Sequence, residues 1–263
     1  MYSLDNKVAV VTGSAQGIGL GIAFELARSG SNVIVADTNF DKAIIVAKKL
    51  KHLGVDAIAL QLDVTSPESI KKGVQDALAH FPTIDILVNN AGVMGRAAIA
   101  GNTGVIENDC INVPEDFDLC YNVNLKGIWN VSSALIPHFK TNQAGKIVNI
   151  SSVCGRRGNS ALPAYCASKA GAISLTQSLA SSLGPHNINV NTICPGTVDT
   201  PGADNVKENL NMPTFCEDAA KDTLLNRLAT PEDIGHAVVF LVSPQASSIT
   251  GQALNVDGGL YMN

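Results

Sequence analysis

Lys7-Val8-Ala9-Val10-Val11-Thr12-Gly13-Ser14-Ala15-Gln16-Gly17-Ile18-Gly19 joins an unbroken apolar run to a turn with glycines at 13, 17 and 19. Apolar residues without alternation are the pattern of a strand buried on both faces, as in parallel sheets covered by helices. A helical pattern follows to about Ser29, and then the unit repeats. Further buried-strand runs are expected at Asn32–Ala36, Val55–Leu62, Ile84–Asn89, Gly145–Ser151, Ile188–Cys194 and Gly251–Asp257. Helical patterns fall between them. One carries Ala43, Ile44, Ala47 and Leu50; another opens at Ser66-Pro67-Glu68; a third runs from about Glu115 to Lys140 and bears Asn124. Two more cover Leu162–Gly184 and the stretch opened by Thr230-Pro231-Glu232-Asp233. Ser66 and Thr230 read as N-caps, each with proline at the first helical position. Strand and helix alternating on short connections predict a doubly wound α/β fold. Its sheet should be mostly parallel and seven-stranded, with helices on both faces, in one domain over residues 1–263.

Composition narrows the function classes. Apolar residues make up 46% and charged ones 16%, which favours a packed globular chain over a disordered one. A net charge of −5 without a basic run argues against a nucleic-acid surface. The six cysteines (Cys110, Cys120, Cys154, Cys166, Cys194 and Cys216) show neither C-x-x-C pairing nor metal-ligand spacing with histidine. They read as reduced packing residues, and no metal site is expected. The first apolar run, Val8–Val11, is too short for a signal segment, and no stretch approaches a membrane span. A soluble, cytoplasmic protein with no membrane association is the expectation.

The glycine turn departs from G-x-G-x-x-G but follows the same logic. Gly13 permits a tight turn, while Gly17 and Gly19 let a pyrophosphate reach the helix N-terminus. Alone, such a turn is equally a tight strand-to-helix connection. Asp37 gives it meaning, because it ends the second strand eighteen residues beyond Gly19. A carboxylate there accepts hydrogen bonds from both adenosine ribose hydroxyls and repels a 2′-phosphate. No Lys or Arg occupies Thr38, Asn39 or the glycine turn, so NAD(H) is expected over NADP(H). Asp63, after the third strand, suits either a helix cap or a contact to the adenine edge. Further on, Tyr165 and Lys169 stand four apart and share a helix face, and Ser152 precedes the tyrosine by thirteen residues at a strand end. A hydroxyl, a phenol and an ammonium thus gather as an acid–base set.

Taken in order, Thr12-Gly13-x-x-x-Gly17-Ile18-Gly19, Asn89-Asn90-Ala91-Gly92, Asn124, Ser152, Tyr165-x-x-x-Lys169 and Pro195-Gly196-x-x-x-Thr200 resemble the classical short-chain dehydrogenase/reductase family. The resemblance spans nearly the whole chain and implies a Rossmann fold. It also implies roles. Tyr165 would take the substrate hydroxyl proton, Ser152 would hold the substrate oxygen, and Asn124 would fix a water on the proton path. Lys169 would bind the nicotinamide ribose and lower the tyrosine pKa. A free phenol titrates near ~10, and a unit charge at ~4 Å is worth about 4 kcal/mol at an effective dielectric of ~20, enough for a shift of a few units. Implied cofactor contacts are Gly13, Gln16, Gly17, Ile18, Gly19, Asp37, Asp63, Val64, Asn90, Ala91, Gly92, Tyr165, Lys169, Pro195, Gly196, Val198 and Thr200. Substrate contacts would come from Ser152, Val153, Cys154, Arg157 and Tyr165, with Leu162 and a substrate loop at about 197–227. A homotetramer, or a homodimer, is the implied assembly.

Two departures stand out. The stretch from Gly92 to Asn124 is longer than the family pattern, with extra residues around Arg96–Val113 in a loop of about 93–114. It reads either as a wall of the substrate pocket or as an inert insertion. Arg156-Arg157, with Arg96, reads either as a clamp for an anionic substrate group or as a solvated or subunit-contact pair. The expected activity is NAD-dependent oxidation of a secondary alcohol (a polyol, hydroxysteroid, cyclic alcohol or hydroxy acid) to the ketone. Reduction of a ketone or 3-oxoacyl thioester is the alternative, and a catalytically silent NAD-binding sensor is a remote one.

Overall fold

β1 (Val8–Thr12) sends Ala9 and Val11 into one apolar core and Val8 and Val10 into another, so the strand is buried on both faces. That is the period-2 geometry expected of a central parallel strand. The computed structural model describes residues 2–95, 114–201, 203 and 213–262. Among them β1 is followed by α1 (Gly17–Arg28), β2 (Asn32–Asp37), α2 (Phe40–Lys51), β3 (Ala57–Gln61), α3 (Pro67–His80) and β4 (Ile86–Asn89). Then come α4 (Pro114–Cys120), α5 (Gly127–Asn142), β5 (Gly145–Ile150), α6 (Pro163–Leu183) and β6 (Ile188–Pro195). The described order ends with α7 (Phe215–Lys221), α8 (Pro231–Val242) and β7 (Ala253–Val256).

The seven strands form one sheet in the order β3-β2-β1-β4-β5-β6-β7, every neighbouring pair parallel. α1, α2 and α8 pack on one face through residues such as Ile22, Leu50 and Val238. α3, α5 and α6 cover the other through Ile70, Leu135 and Leu183. The chain therefore has the Rossmann-like, doubly wound architecture. Its order turns back beside β1, which pairs with both β2 and β4. A sheet of this kind opens a crevice there, outside the carboxyl ends of the strands.

The caps match their sequence signals. Ser66 accepts the Ser69 N–H, and Thr230 and Asp233 form a reciprocal capping box. Other details differ from expectation. The helix expected from about Glu115 is helical throughout, but its pattern changes at Tyr121–Lys126, a π-helical turn between α4 and α5. β6 runs one residue past the expected Cys194, to Pro195, which is in register with Val256. A strand end tolerates proline because the missing N–H falls where the ladder finishes. The expected polar loop at 197–227 contains α7, with Asp199 joined to Ala229 by a backbone hydrogen bond of 2.9 Å. Arg96, Cys110, the added loop and residues 204–212 lie outside the described residues. No helix among the described residues is long and apolar enough to cross a membrane.

Candidate active site

The turn after β1 is built to let backbone come close. Gly13 has φ +62°, and a Cβ there would stand 2.9 Å from Ala91 Cα. At Gly19 a Cβ would collide with the Gly13 carbonyl and the Asn90 amide. Gly17 is the contrast: φ is +58°, and the nearest atom to a Cβ would be Thr200 Cγ2 at 3.9 Å. Space thus remains above the helix start, and the segment after β6 closes its far side.

Thr12 and Asn90 lock the first turn to the second. Thr12 Oγ1 accepts the N–H groups of Asn90 and Ala91 at 3.0 and 3.1 Å. The Asn90 amide donates to the carbonyls of Thr12 and Gly13 at 3.0 and 2.9 Å. The Thr12 hydroxyl, whose role the motif spacing does not reveal, thus ties the end of β1 to the turn after β4. Asp37, half-buried at the end of β2, accepts the Ala15 N–H at 2.9 Å and the Asn39 N–H at 2.9 Å. Its carboxylate is thereby fixed beside the glycine turn.

The acid–base set converges from three elements. Ser152, buried just past β5, accepts the Cys154 N–H on its hydroxyl at 3.1 Å. The short 3-10 turn Val153–Gly155 packs on α6 so closely that a Cβ at Gly155 would lie 2.8 Å from the Lys169 carbonyl. Ser151 donates to that carbonyl at 2.8 Å. Lys169 Nζ donates to Ile150 O at 2.9 Å and stands 5.5 Å from the centroid of the Tyr165 ring. A Cβ on Gly92 would sit 3.3 Å from that ammonium and 3.2 Å from Asn124 Oδ1. Ser152, Tyr165, Lys169, Asn124 and Gly92 therefore lie close together at the carboxyl edge of the sheet.

Asn124, fully buried in the π-helical turn, clamps a backbone segment. Its Oδ1 accepts the Val93 N–H at 2.8 Å, while Nδ2 donates to Val93 O at 2.8 Å and to Ser168 Oγ at 3.0 Å. Both amide donors and one acceptor site are spent on these bonds. The side chain thus fastens the Val93 backbone to the π-helical turn. Ser168 passes the link on by donating to the Tyr165 carbonyl at 2.7 Å. A serine inside a helix carries no sequence signal for such a role.

Electrostatics correct one expectation. Burial pushes the Tyr165 phenol above its ordinary range, followed by the neighbouring Cys154 thiol, and the Ser152 hydroxyl facing it offsets this only in part. The same burial pulls Lys169 down to about 8. In the chain itself desolvation is the largest influence on both groups, and it opposes the ammonium–phenolate attraction that sequence spacing suggests. Burial also raises the thiols of Cys120, Cys154 and Cys194, Cys120 to about 11, so these neighbours stay neutral at pH 7.

The remaining predicted residues divide. Ile18 lies in the first turn of α1, and Gly196 donates its N–H to Val256 O at 3.2 Å. Val198 is buried and bridges to Ala229. Asp63 accepts from the Thr65 N–H and hydroxyl at 2.8 and 2.7 Å in the turn before α3, and the helix cap is Ser66 rather than Asp63. Val64 is buried, and a Cβ on Gly127 would meet it at 2.8 Å. Arg156 does not join Arg157 in a clamp. Its guanidinium turns under β7 to the Ala253 carbonyl and lies against Cys194, with Nε buried and unpartnered among the described residues. Arg157 is exposed beside Cys154.

These features fit a nicotinamide dinucleotide: a helix start with room above Gly17, a fixed carboxylate at the end of β2, and an ammonium beside Gly92. A family model described as enoyl-(acyl carrier protein) reductase matches residues 13–261. Galactitol 2-dehydrogenase of Agrobacterium fabrum is 40% identical over 270 residues, covering 99% of this chain and 99% of that protein. A 3-oxoacyl-(acyl-carrier-protein) reductase of Thermotoga maritima is 35% identical over 259 residues, covering 98% and 99%. Among solved structures, a 7α-hydroxysteroid dehydrogenase complexed with NADH and 7-oxo glycochenodeoxycholic acid superposes with a TM-score of 0.88. It is 34% identical, and the match covers 99% of this chain and 97% of that one.

Proposed function

The chain belongs to the classical short-chain dehydrogenase/reductase family, and on that footing we propose that it oxidises a secondary alcohol to the ketone, reversibly, with NAD as cofactor. The substrate class is a polyol, hydroxysteroid, cyclic alcohol or hydroxy acid. The observation that carries this reading is the convergence of Ser152, Tyr165 and Lys169 beside Gly92 at the carboxyl edge of the sheet. Gly13, Gly17 and Gly19 would cradle the pyrophosphate, Asp37 the adenosine ribose, and Lys169 the nicotinamide ribose. Asn90, Ala91, Gly92, Pro195, Gly196, Val198 and Thr200 would flank the rest. Bound NAD supplies the hydride acceptor and, when oxidised, a positive ring.

The chain's own residues handle the oxygen and its proton. Ser152 donates a hydrogen bond to the substrate oxygen and fixes its distance from Tyr165. Tyr165 accepts the hydroxyl proton on its phenolate oxygen. Since burial holds that phenol high, removal of its proton depends on positive charge around it, and Lys169 at the ring is the chain's own contribution. Asn124 keeps the Gly92–Val93 backbone in place opposite Lys169. Asp37 favours NAD(H), because a second anion beside a fixed carboxylate is repelled.

Reduction of a ketone or 3-oxoacyl thioester has matching support from the Thermotoga maritima relative. One assay series separates the two: NADH formation from a panel of polyols, hydroxysteroids, cyclic alcohols and hydroxy acids, beside NADH and NADPH consumption with 3-oxoacyl thioesters. Turnover of an alcohol with NAD supports the proposal. Turnover confined to thioesters with NADPH overturns it.

The protein is proposed to be cytoplasmic and to act as a homotetramer. Phe117, Tyr121 and Trp129 are 53%, 46% and 51% exposed along α4, the π turn and α5, apolar surface that subunit contact would cover. Sedimentation should give a four-chain particle that Trp129→Glu breaks down. A monomeric native protein would contradict this assembly.

A further inference from the structure

Lys42 stands in the first turn of α2 and reaches back across the mouth of the glycine turn. Its ammonium donates to Gln16 Oε1 at 3.2 Å, a contact between residues 26 apart in sequence. Gln16 follows Ala15, whose N–H is held by Asp37 at 2.9 Å. Asp37 also takes the Asn39 N–H at 2.9 Å, and Asn39 Oδ1 takes the Lys42 N–H at 3.1 Å. Asp37, Asn39, Lys42 and Gln16 thus form one hydrogen-bonded circuit around the place assigned above to the adenosine ribose. The partner of the ammonium is a neutral amide, so its charge is not cancelled by the contact. No cation is adjacent to Asp37 in sequence, yet the fold carries one to the same rim.

We propose that Lys42 is a cofactor-specificity residue whose ammonium supplies the counter-charge for a phosphate on the adenosine ribose. Discrimination against NADP(H) then rests on Asp37 alone, and the chain binds both dinucleotides, NAD(H) more tightly. This inference rests on the dinucleotide site of the proposed function. A carboxylate that repels the 2′-phosphate and an ammonium that attracts it act on the same group from two elements, β2 and α2. Because Lys42 is exposed, its attraction is screened by water and salt, and its worth is about tenfold in affinity at low ionic strength.

The test is direct binding to the full chain, free of turnover. Nucleotide fluorescence gives the affinities of NADH and NADPH; calorimetry gives those of AMP and adenosine 2′,5′-bisphosphate. The variants are Lys42→Ala, Lys42→Arg, Asp37→Ser and the Asp37→Ser/Lys42→Ala pair. Lys42→Ala should weaken NADPH and the bisphosphate about tenfold while changing NADH and AMP less than about twofold, and added salt should shrink the difference. Lys42→Arg should retain wild-type selectivity. Asp37→Ser should tighten NADPH and weaken NADH, and the paired substitution should lose the NADPH gain. Equal weakening of NADH and NADPH by Lys42→Ala, or no effect on NADPH in either background, overturns the proposal. If Asp37→Ser leaves NADH binding unchanged, the adenosine site itself is misassigned, and the inference falls with it. If Asp37→Ser weakens NADH but Lys42 shows no selectivity, only the inference falls.

Discussion

Lys169 meets two opposing demands. The proposed catalysis asks for an ammonium beside a phenol, while 4% exposure makes that charge costly and draws its pKa to about 8 from the ordinary 10.5. Between those values the unfolded chain holds a proton that the folded chain has shed, so stability rises with pH across the window. Below pH 8 both states are protonated, and the fold carries the full cost of the buried charge. Wild type should therefore gain about 2 kcal/mol in unfolding free energy from pH 8 to pH 10 relative to Lys169→Met. Urea unfolding of both proteins at the two pH values checks this; parallel changes would contradict it. The acid–base spacing of Tyr165 and Lys169 was legible in the sequence. The direction of their pKa shifts was not, because burial is a property of the packed molecule and four-residue spacing carries no measure of it.

At the scale of elements, the π-helical turn Tyr121–Lys126 is where packing and site meet. Such turns insert one residue into a helix and frequently mark functional positions. Apolar periodicity identified a helix from about Glu115, but a single inserted residue leaves the pattern on either side intact, so the turn itself was invisible. Its consequence is the Asn124 clamp on Val93. Asn124→Ala removes three hydrogen bonds that are each worth about 1 kcal/mol net, so stability should fall by about 3 kcal/mol. Exchange of the Val93 amide hydrogen should quicken more than that of the Val11 amide in β1. Unchanged protection at Val93 would show that the clamp does not hold this backbone. The central strands were read well from sequence because they are short apolar runs, as in Val8–Thr12 before Gly13. Arg156 was not, since the 3-10 turn at Val153–Gly155 rotates it beneath β7 while its neighbour Arg157 stays in solvent.

Across the whole molecule, parallel pairing of all seven strands explains why residues remote in sequence meet. Every strand ends at the same edge, so Gly13 after β1, Asp37 ending β2, Asn90 after β4, Ser152 after β5 and Pro195 ending β6 are brought there together. Motif order along the chain therefore translates directly into a site. Contacts that run sideways along that edge, such as Lys42 to Gln16, have no counterpart in motif spacing and emerge only from the folded arrangement. The central claim is that this edge transfers hydride while Tyr165 handles the substrate proton. It is tested most directly by comparing wild type with Tyr165→Phe for NADH formation from an alcohol that wild type turns over, with NADH affinity measured alongside. The substitution should lower kcat by about 10²–10⁴-fold and leave NADH affinity within about threefold. A Tyr165→Phe protein that keeps wild-type turnover would contradict the account.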